Sequence, residues 1–158
     1  MITIEFIKLT DNTHYRAVKS IFHESFDIRS FPRNSIIQSW KIRDPHISYG
    51  FYDANKKELI GFILARYEWN KPNVIYISYL AIRDSEKGRG IGTSILKQVV
   101  RHYTGFGSSV SLVPCYNTDN WYQRNGFYYS GKKQLMVYNP YRTRRKMSPS
   151  RSCLIFRY

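Results

Sequence analysis

Three glycines at alternate positions, Gly88, Gly90 and Gly92, constrain this chain more than any other feature. They follow the uncharged, apolar run 74–82 and precede segment 91–103, whose apolar residues have the spacing of one helix face. Glycines between a buried strand and a helix let a ligand approach the backbone closely. The N–H groups and partial positive charge of a helix N-terminus bind anions. The segment therefore predicts a phosphate-binding loop or, alternatively, a tight turn that only starts a helix.

Two common nucleotide-binding loops do not fit the residues around these glycines. A P-loop needs Lys and then Ser or Thr directly after its last glycine, whereas Gly92 is followed by Thr93. The dinucleotide fingerprint G-x-G-x-x-G needs a glycine where Thr93 stands. The segment also lies in mid-chain, after a predicted hairpin, unlike a first βα unit. We therefore exclude both loops.

Strand-like and helix-like segments alternate along the rest of the chain. The predicted strands are 2–8, 46–52, 58–67, 74–82, 110–113, 127–129 and 153–158. The predicted helices begin near Asp11 or Thr13, near Asn34 or Ser35, after the glycines, and at Asp119. This order predicts an α/β fold of the α+β type with a mixed sheet. Its length suits one domain, residues 1–158, with a basic loop at about 131–152 before the final strand.

The positive charge of the chain is concentrated near its C-terminus. The 158 residues include 25 Lys and Arg and 11 Asp and Glu, a net charge of +14. Asp119 is the last acid and nine bases follow it, so residues 1–119 hold 16 bases and 11 acids, a net charge of +5. The basic region can serve substrate choice, binding of nucleic acid or another polyanion, or only solubility.

Composition also limits where such a protein works. The apolar run 74–82 is far shorter than the roughly 20 residues of a membrane-spanning helix, so we expect no membrane partner. Glu5 interrupts the N-terminal apolar segment, which disfavours a signal peptide. Cys115 and Cys153 are too few for a disulfide framework or a four-cysteine zinc site. We expect an intracellular, cytoplasmic protein without a metal, or a nuclear one if the host is eukaryotic or viral.

The segment 79–100, YLAIRDSEKGRGIGTSILKQVV, resembles the acetyl-CoA-binding segment of the GNAT superfamily of N-acetyltransferases. The signature of that family is Q/R-x-x-G-x-G/A between a strand and a helix. Residues 87–92 fit this signature, with Lys87 in the place of Gln or Arg. Lysine keeps the positive charge of arginine but loses its planar hydrogen bonding. The resemblance implies the acyl-CoA N-acyltransferase fold, with a mixed, mostly antiparallel central sheet flanked by helices.

A second segment, 115–127, is similar to the family pattern N-x-x-A-x-x-F-Y-x-K-x-G-F. The positions that match outright are Tyr122, Gly126 and Phe127. Trp121 and Arg124 replace Phe and Lys, whereas Cys115 and Thr118 depart from the Asn and Ala of the pattern. The two segments occur in the order of the family, and the element order resembles the family fold over the whole chain.

The resemblance implies acetyl-CoA as co-substrate, held by the glycine loop and by the end of the strand before it. The implied cofactor-binding residues are Leu80, Ala81, Ile82, Lys87, Gly88, Arg89, Gly90, Ile91, Gly92, Thr93, Asn117 and Tyr122. Asn117 is included because Cys115 occupies the slot of the family asparagine; a plain loop asparagine is the alternative. The implied reaction is direct attack of an amine on the acetyl group through a tetrahedral intermediate.

Three residues take catalytic roles by this resemblance. The N–H of Leu80 polarises the thioester carbonyl, as an oxyanion-hole donor does. Tyr122 is the general acid that protonates the leaving thiolate, or else a core aromatic. Tyr76, on the face expected to include Ser78 and Leu80, is the general base or an ordinary strand aromatic. The reserve bases are His23, Glu24 and Glu68.

The acceptor amine stays open between protein N-termini, protein lysines and small amines. A strongly basic protein does not concentrate polycations, which argues mildly against a free polyamine. The competing function is a catalytically weak module of the same fold that binds nucleic acid or another polyanion through the basic C-terminal region. We expect a monomer or a homodimer.

Overall fold

The computed structural model describes residues 2–131 and 134–143, without the side chains of residues 142 and 143. The strands are β1 (Ile4–Lys8), β2 (Tyr49–Asp53), β3 (Glu58–Glu68), β4 (Lys71–Ile82), β5 (Ser109–Leu112), β6 (Tyr128–Tyr129) and β7 (Met136–Tyr138). The helices are α1 (Tyr15–Ser25), α2 (Ser35–Ile42), α3 (Ile91–Gly105), α4 (Asp119–Arg124) and α5 (Pro140–Thr143), with a 3-10 turn at Asp84–Glu86. The predicted strand 153–158 lies outside the described residues. Within them, no helix is long and apolar enough to cross a membrane.

All seven described strands form one sheet in the order β1-β2-β3-β4-β5-β7-β6. Strands β4 and β5 are parallel, and every other neighbouring pair is antiparallel. A parallel pair needs a long crossover connection, which α3 supplies between β4 and β5. The predicted mixed, mostly antiparallel sheet flanked by helices is confirmed.

The prediction of one basic loop over 131–152 is wrong in its first half. Strand β7 lies there, between β5 and β6, and its Met136 is fully buried. The basic and turn-forming residues around it concealed a short apolar segment, residues 135–137. Pairing with β7 gives β5 a second neighbour, so β5 is not an edge strand. Residues 144–152 lie outside the described part of the chain.

The two faces of the sheet carry separate hydrophobic clusters. One face packs against α3, whose buried residues are Ile91, Ile95, Leu96, Val99, Val100 and Tyr103. The other face packs against α1 and α2 through residues that include Ile21, Phe22, Ile36 and Trp40. Burying one such side chain stabilises a fold by roughly 1.5–3 kcal/mol. These clusters fix β4 as the central strand between two helical layers.

Strand β4 carries one extra residue, Ser78, in its ladder with β3. Tyr79 lies opposite Leu64, but Ile77 lies opposite the next residue, Ala65, so Ser78 has no partner across the ladder. An extra residue of this kind is a β-bulge, which reverses the alternation of side chains beyond it. The faces of β4 before and after Ser78 are therefore out of phase.

The bulge corrects the predicted face of Tyr76. Ile77 packs in the α3-side cluster before the bulge, and Leu80 packs against that same cluster after it. Tyr76 alternates with Ile77 and therefore points to the α1/α2 side, where Tyr79 also packs. Tyr76 and Leu80 lie on opposite faces, because simple alternation across residue 78 does not hold.

Candidate functional site

A cleft of about 900 Å³ opens where β4 and β5 separate. The two strands pair only between residues 74–77 and 109–112, so residues 78–82 have no strand partner on the β5 side among the described residues. The predicted site residues that line the cleft are Leu80, Ala81, Ile82, Lys87, Gly88, Gly90, Gly92, Thr93 and Tyr122. The structure thus brings together the strand end, the glycine loop and α4, as expected.

The glycine loop has the backbone conformation that its glycines permit. Gly88 and Gly90 lie in the left-handed region, with φ of +77° and +74°, which costs an ordinary residue roughly 1–2 kcal/mol. A Cβ at either position would meet no atom of the described residues within 4 Å. Gly90 precedes α3 without a side-chain cap, so the first N–H groups of the helix stay available. The loop therefore leaves an open, electropositive space for an anion.

A buried carboxylate that the sequence did not reveal holds this loop in place. Glu86 is 1% exposed and forms ion pairs with Lys56 of the β2–β3 turn and, at 3.3 Å, with Arg89. The neighbouring acid Asp84 pairs with Lys87, and both of these side chains are more than half exposed. Only burial distinguishes Glu86 from Asp84, and no local pattern encodes it. The Arg89 side chain is directed to Glu86 rather than into the cleft.

The N–H of Leu80 points to the open edge of β4. The N–H of Arg83 donates to the carbonyl of Ile60 at 2.8 Å, on the β3 side. Because successive peptide groups of a strand point in opposite directions, Ala81 also faces β3, whereas Leu80 and Ile82 face the gap. The hydroxyl of Ser25 donates to the Ile82 carbonyl at 3.4 Å, consistent with this direction.

The three reserve bases, His23, Glu24 and Glu68, are either paired with other groups or exposed outside the cleft. Glu24, in the last turn of α1, pairs with Arg83 at 3.1 Å and accepts the N–H of Asp84 at 2.7 Å. Glu68 accepts the Ser111 hydroxyl at 2.7 Å. His23 is an exposed residue of α1. None of the three lines the cleft, and Glu24 and Glu68 are held by other groups.

Tyr122 lies in the wall of the cleft with its ring buried. It is 9% exposed and packs between Trp121 and Phe127. Trp121 donates its indole N–H to the hydroxyl of Thr93 at 2.9 Å, which ties α4 to the start of α3. Burial raises the pKa of the Tyr122 phenol, with a smaller contribution from Cys115. The phenol therefore keeps its proton at neutral pH and is available as a donor.

Asn117, which was predicted to contact the coenzyme, and Cys115, which occupies the slot of the family asparagine, differ in their access to the cleft. Asn117 is exposed in a left-handed turn with φ of 63°, and it does not line the cleft. Cys115 does line it, and burial raises the pKa of its thiol. The described geometry therefore places Asn117 at the surface and outside the cleft lining.

Tyr76 also lies outside the cleft lining, on the α1/α2 face of β4. The guanidinium carbon of Arg66 lies 4.9 Å from the centre of its ring. Burial raises the pKa of Tyr76; the charge of Arg66 opposes that shift and Glu68 adds to it.

The described residues contain no cluster of three or more His, Cys, Asp or Glu side chains that could hold a metal ion.

Several solved structures have the same fold as this chain. The Pyrococcus horikoshii protein PH1933 is 20% identical, with a TM-score of 0.67 over 88% of this chain and 98% of that one. Tetrahymena GCN5 is 18% identical, with a TM-score of 0.66 over 85% and 94% of the two chains. The PaiA N-acetyltransferase of Thermoplasma acidophilum, solved with coenzyme A, is 16% identical, with a TM-score of 0.62 over 87% and 99%.

Sequence comparison agrees with the shared fold. No curated protein sequence matches this chain significantly. Residues 13–127 match the acetyltransferase (GNAT) family. That range runs from the start of α1 through the glycine loop to the Gly126-Phe127 end of the second motif. The chain therefore belongs to the acetyltransferase (GNAT) family.

Proposed function

We propose that this protein transfers the acetyl group of acetyl-CoA to an amine of a protein or small molecule. The observation that carries the proposal is the cleft where β4 and β5 separate. The glycine loop and the start of α3, which has no side-chain cap, lie at one end of it, and Tyr122 lies in its wall. The Thermoplasma acidophilum relative in complex with coenzyme A supports the same ligand for this fold.

Two features of the described residues suit such a ligand. The space beside Gly88 and Gly90 is open, and the free N–H groups at the start of α3 suit a pyrophosphate. The unpaired edge at residues 80–82 can hydrogen-bond to the amide groups of the pantetheine arm, as an added strand would. Acetyl-CoA supplies the activated acetyl thioester.

Leu80 and Tyr122 assist different steps of the proposed reaction. The acceptor nitrogen bonds to the carbonyl carbon, the C–S bond breaks, the nitrogen loses a proton and the sulfur gains one. The Leu80 N–H stabilises the developing oxyanion, and Tyr122 supplies the proton to the leaving sulfur. In other enzymes, removal of one oxyanion-hole donor raises the activation free energy by ~3–4 kcal/mol.

Tyr76 handles the acceptor proton through water. It lies four residues before Leu80, up to about 13 Å along the strand, and it does not line the cleft. Because burial raises the pKa of Tyr76, the phenol is protonated near pH 7 and cannot hold a second proton. We assign it to orienting a water that carries the proton of the amine to solvent.

A binding assay and a turnover assay test the proposal together. We expect acetyl-CoA to raise the melting temperature, because a ligand that binds only the folded state stabilises it. We also expect free coenzyme A to be released with an amine panel of peptides with free N-termini, lysine peptides and small amines. If acetyl-CoA at about 1,000 times a typical micromolar Kd gives no thermal shift, the proposed function is wrong.

A further inference from the structure

Arg66 is a partly buried cation without a counter-ion among the described residues. It lies on β3, on the same face of the sheet as Tyr76, directly opposite it in the ladder. Its Nε is buried and has no hydrogen-bond partner in the described part of the chain. Among the described residues its guanidinium forms no ion pair, and its contact is with the face of the Tyr76 ring.

An unpaired, buried donor of this kind needs an explanation, because buried polar groups are nearly always satisfied. The nearest acid along the strand is Glu68, two residues away on the same face. Its carboxylate accepts the Ser111 hydroxyl at 2.7 Å and pairs with Lys71 at 3.4 Å. Glu68 is thus occupied by other groups, and the Nε of Arg66 stays without a partner among the described residues.

The position of Arg66 relates it to the proposed reaction. Leu80 lies opposite Ile63, and Arg66 is three residues further along β3, a displacement of about 10 Å in the strand direction. Arg66 lies beside Tyr76, which we assign to the acceptor proton. An anion held at Arg66 would therefore belong to the acceptor rather than to the coenzyme, whose phosphates fit the glycine loop.

We propose that Arg66 binds a carboxylate of the acceptor, and that the acceptor is an acidic peptide whose carboxylate lies about 10 Å from the reacting amine. This inference rests on the proposed function. The guanidinium presents paired N–H donors that match a carboxylate. The net charge of +14 attracts an acidic acceptor from solution. Three residues of extended peptide span the required distance.

The test uses peptides that differ in one charge. A glutamate is moved from the second to the fifth residue of a short neutral peptide with a free N-terminus and one lysine, and each peptide has a glutamine twin. We expect the best glutamate peptide to exceed its twin in kcat/KM by about tenfold or more. Arg66→Gln brings that ratio close to one, and Arg66→Lys retains part of it.

Two controls separate local binding from other effects. Lys97→Gln removes one exposed positive charge from α3, and it should leave the glutamate preference intact. Calorimetric titration of the same peptides measures recognition without turnover. A glutamate preference in binding but no turnover would refute the transferase function and keep the role of Arg66.

Three results would overturn the inference. The first is equal use of every glutamate peptide and its twin by the unmodified protein. The second is a preference that survives Arg66→Gln. The third is a loss of kcat in Arg66→Gln that is the same for both twins and comes with a shifted pH profile. That last result would mean that Arg66 acts only on Tyr76, whose pKa it lowers through its charge.

Discussion

The candidate site has two parts, one at the free edge of β4 and one on its α1/α2 face, and they differ in composition. On the side facing the gap to β5, the candidate site consists mainly of backbone: the left-handed Gly88 and Gly90, the start of α3 and the amide of Leu80. On the α1/α2 face it consists of side chains, chiefly Arg66 and Tyr76. The first side suits the phosphates and amides of a coenzyme shared by many proteins. The second can vary with the acceptor without disturbing the first.

Backbone sites and side-chain sites respond differently to substitution. Backbone donors do not change when surface side chains are replaced, so a glycine loop keeps its chemistry. A side-chain site depends on which face each residue occupies, and here the bulge at Ser78 decides that. Substitutions that change only the backbone part or only the side-chain part of the site therefore test this difference directly.

The largest effect is expected from Tyr122→Phe, which removes the proposed proton donor from the coenzyme side. We expect kcat to fall by about 100-fold, because general acid catalysis contributes at least that much. The thermal shift with acetyl-CoA should persist, since the buried ring stays in place. Initial-rate kinetics and thermal melting provide the two measurements.

Tyr116→Phe is the matched control for this variant. Tyr116 also lines the cleft but is 93% exposed, and it should retain the rate of the unmodified protein. An unchanged kcat in Tyr122→Phe would remove that residue from the mechanism. An equal loss in both variants would show that hydroxyl groups of the cleft act without distinction.

The next effect concerns the glycine loop. Gly90→Ala introduces a side chain at a φ of +74°, beside the proposed phosphate position. We expect acetyl-CoA affinity to fall by about tenfold, equal to about 1.4 kcal/mol, with kcat for saturated enzyme nearly unchanged. Calorimetric titration with acetyl-CoA gives the affinity.

Gly107→Ala supplies the control, since Gly107 has a φ of +80° and equally open surroundings beyond the other end of α3. Both substitutions should lower the free energy of unfolding by a similar amount, about 1–2 kcal/mol. Only Gly90→Ala should weaken coenzyme binding. Equal weakening by both would mean that backbone strain, and not the loop, controls affinity.

The same division separates what the sequence could predict from what it could not. The glycine spacing, the apolar run before it and the periodic helix after it predicted the loop and its elements, because these depend on local residues. The bulge at Ser78 leaves no mark in the sequence, so alternation assigned Tyr76 to the wrong face. Strand β7 was missed because its apolar core, around Met136, is three residues long among basic neighbours.

The sequence also did not reveal that Glu86, beside the glycine loop, is buried. Its ion pairs lead to a third prediction, which concerns stability. Glu86→Gln should lower the free energy of unfolding by about 1 kcal/mol, since it weakens charged hydrogen bonds of a buried carboxylate to partly exposed cations. Asp84→Asn removes an exposed pair from the same turn and should cost less than about 0.5 kcal/mol. Denaturant unfolding measures both. A larger loss in Asp84→Asn would contradict the bracing role of Glu86.

The smallest effect is a pH dependence that lies away from both sides of the site. His102 is on α3, outside the cleft, with its Nε2 at 3.0 Å from the Tyr49 hydroxyl. Burial lowers the pKa of His102, and the charge of Lys8 adds to this. The unfolded chain therefore binds the proton more readily, so stability falls slightly as pH drops below about 6.5.

In His102→Gln this part of the acid-induced loss of stability should vanish. The fall of kcat/KM at acid pH should remain, because it comes from protonation of the acceptor amine. Denaturant midpoints and kcat/KM between pH 5 and 8 follow the two properties separately. If His102→Gln changed the acid limb of activity as well, the pH response of the site would extend along α3, and the separation between site and scaffold would be wrong.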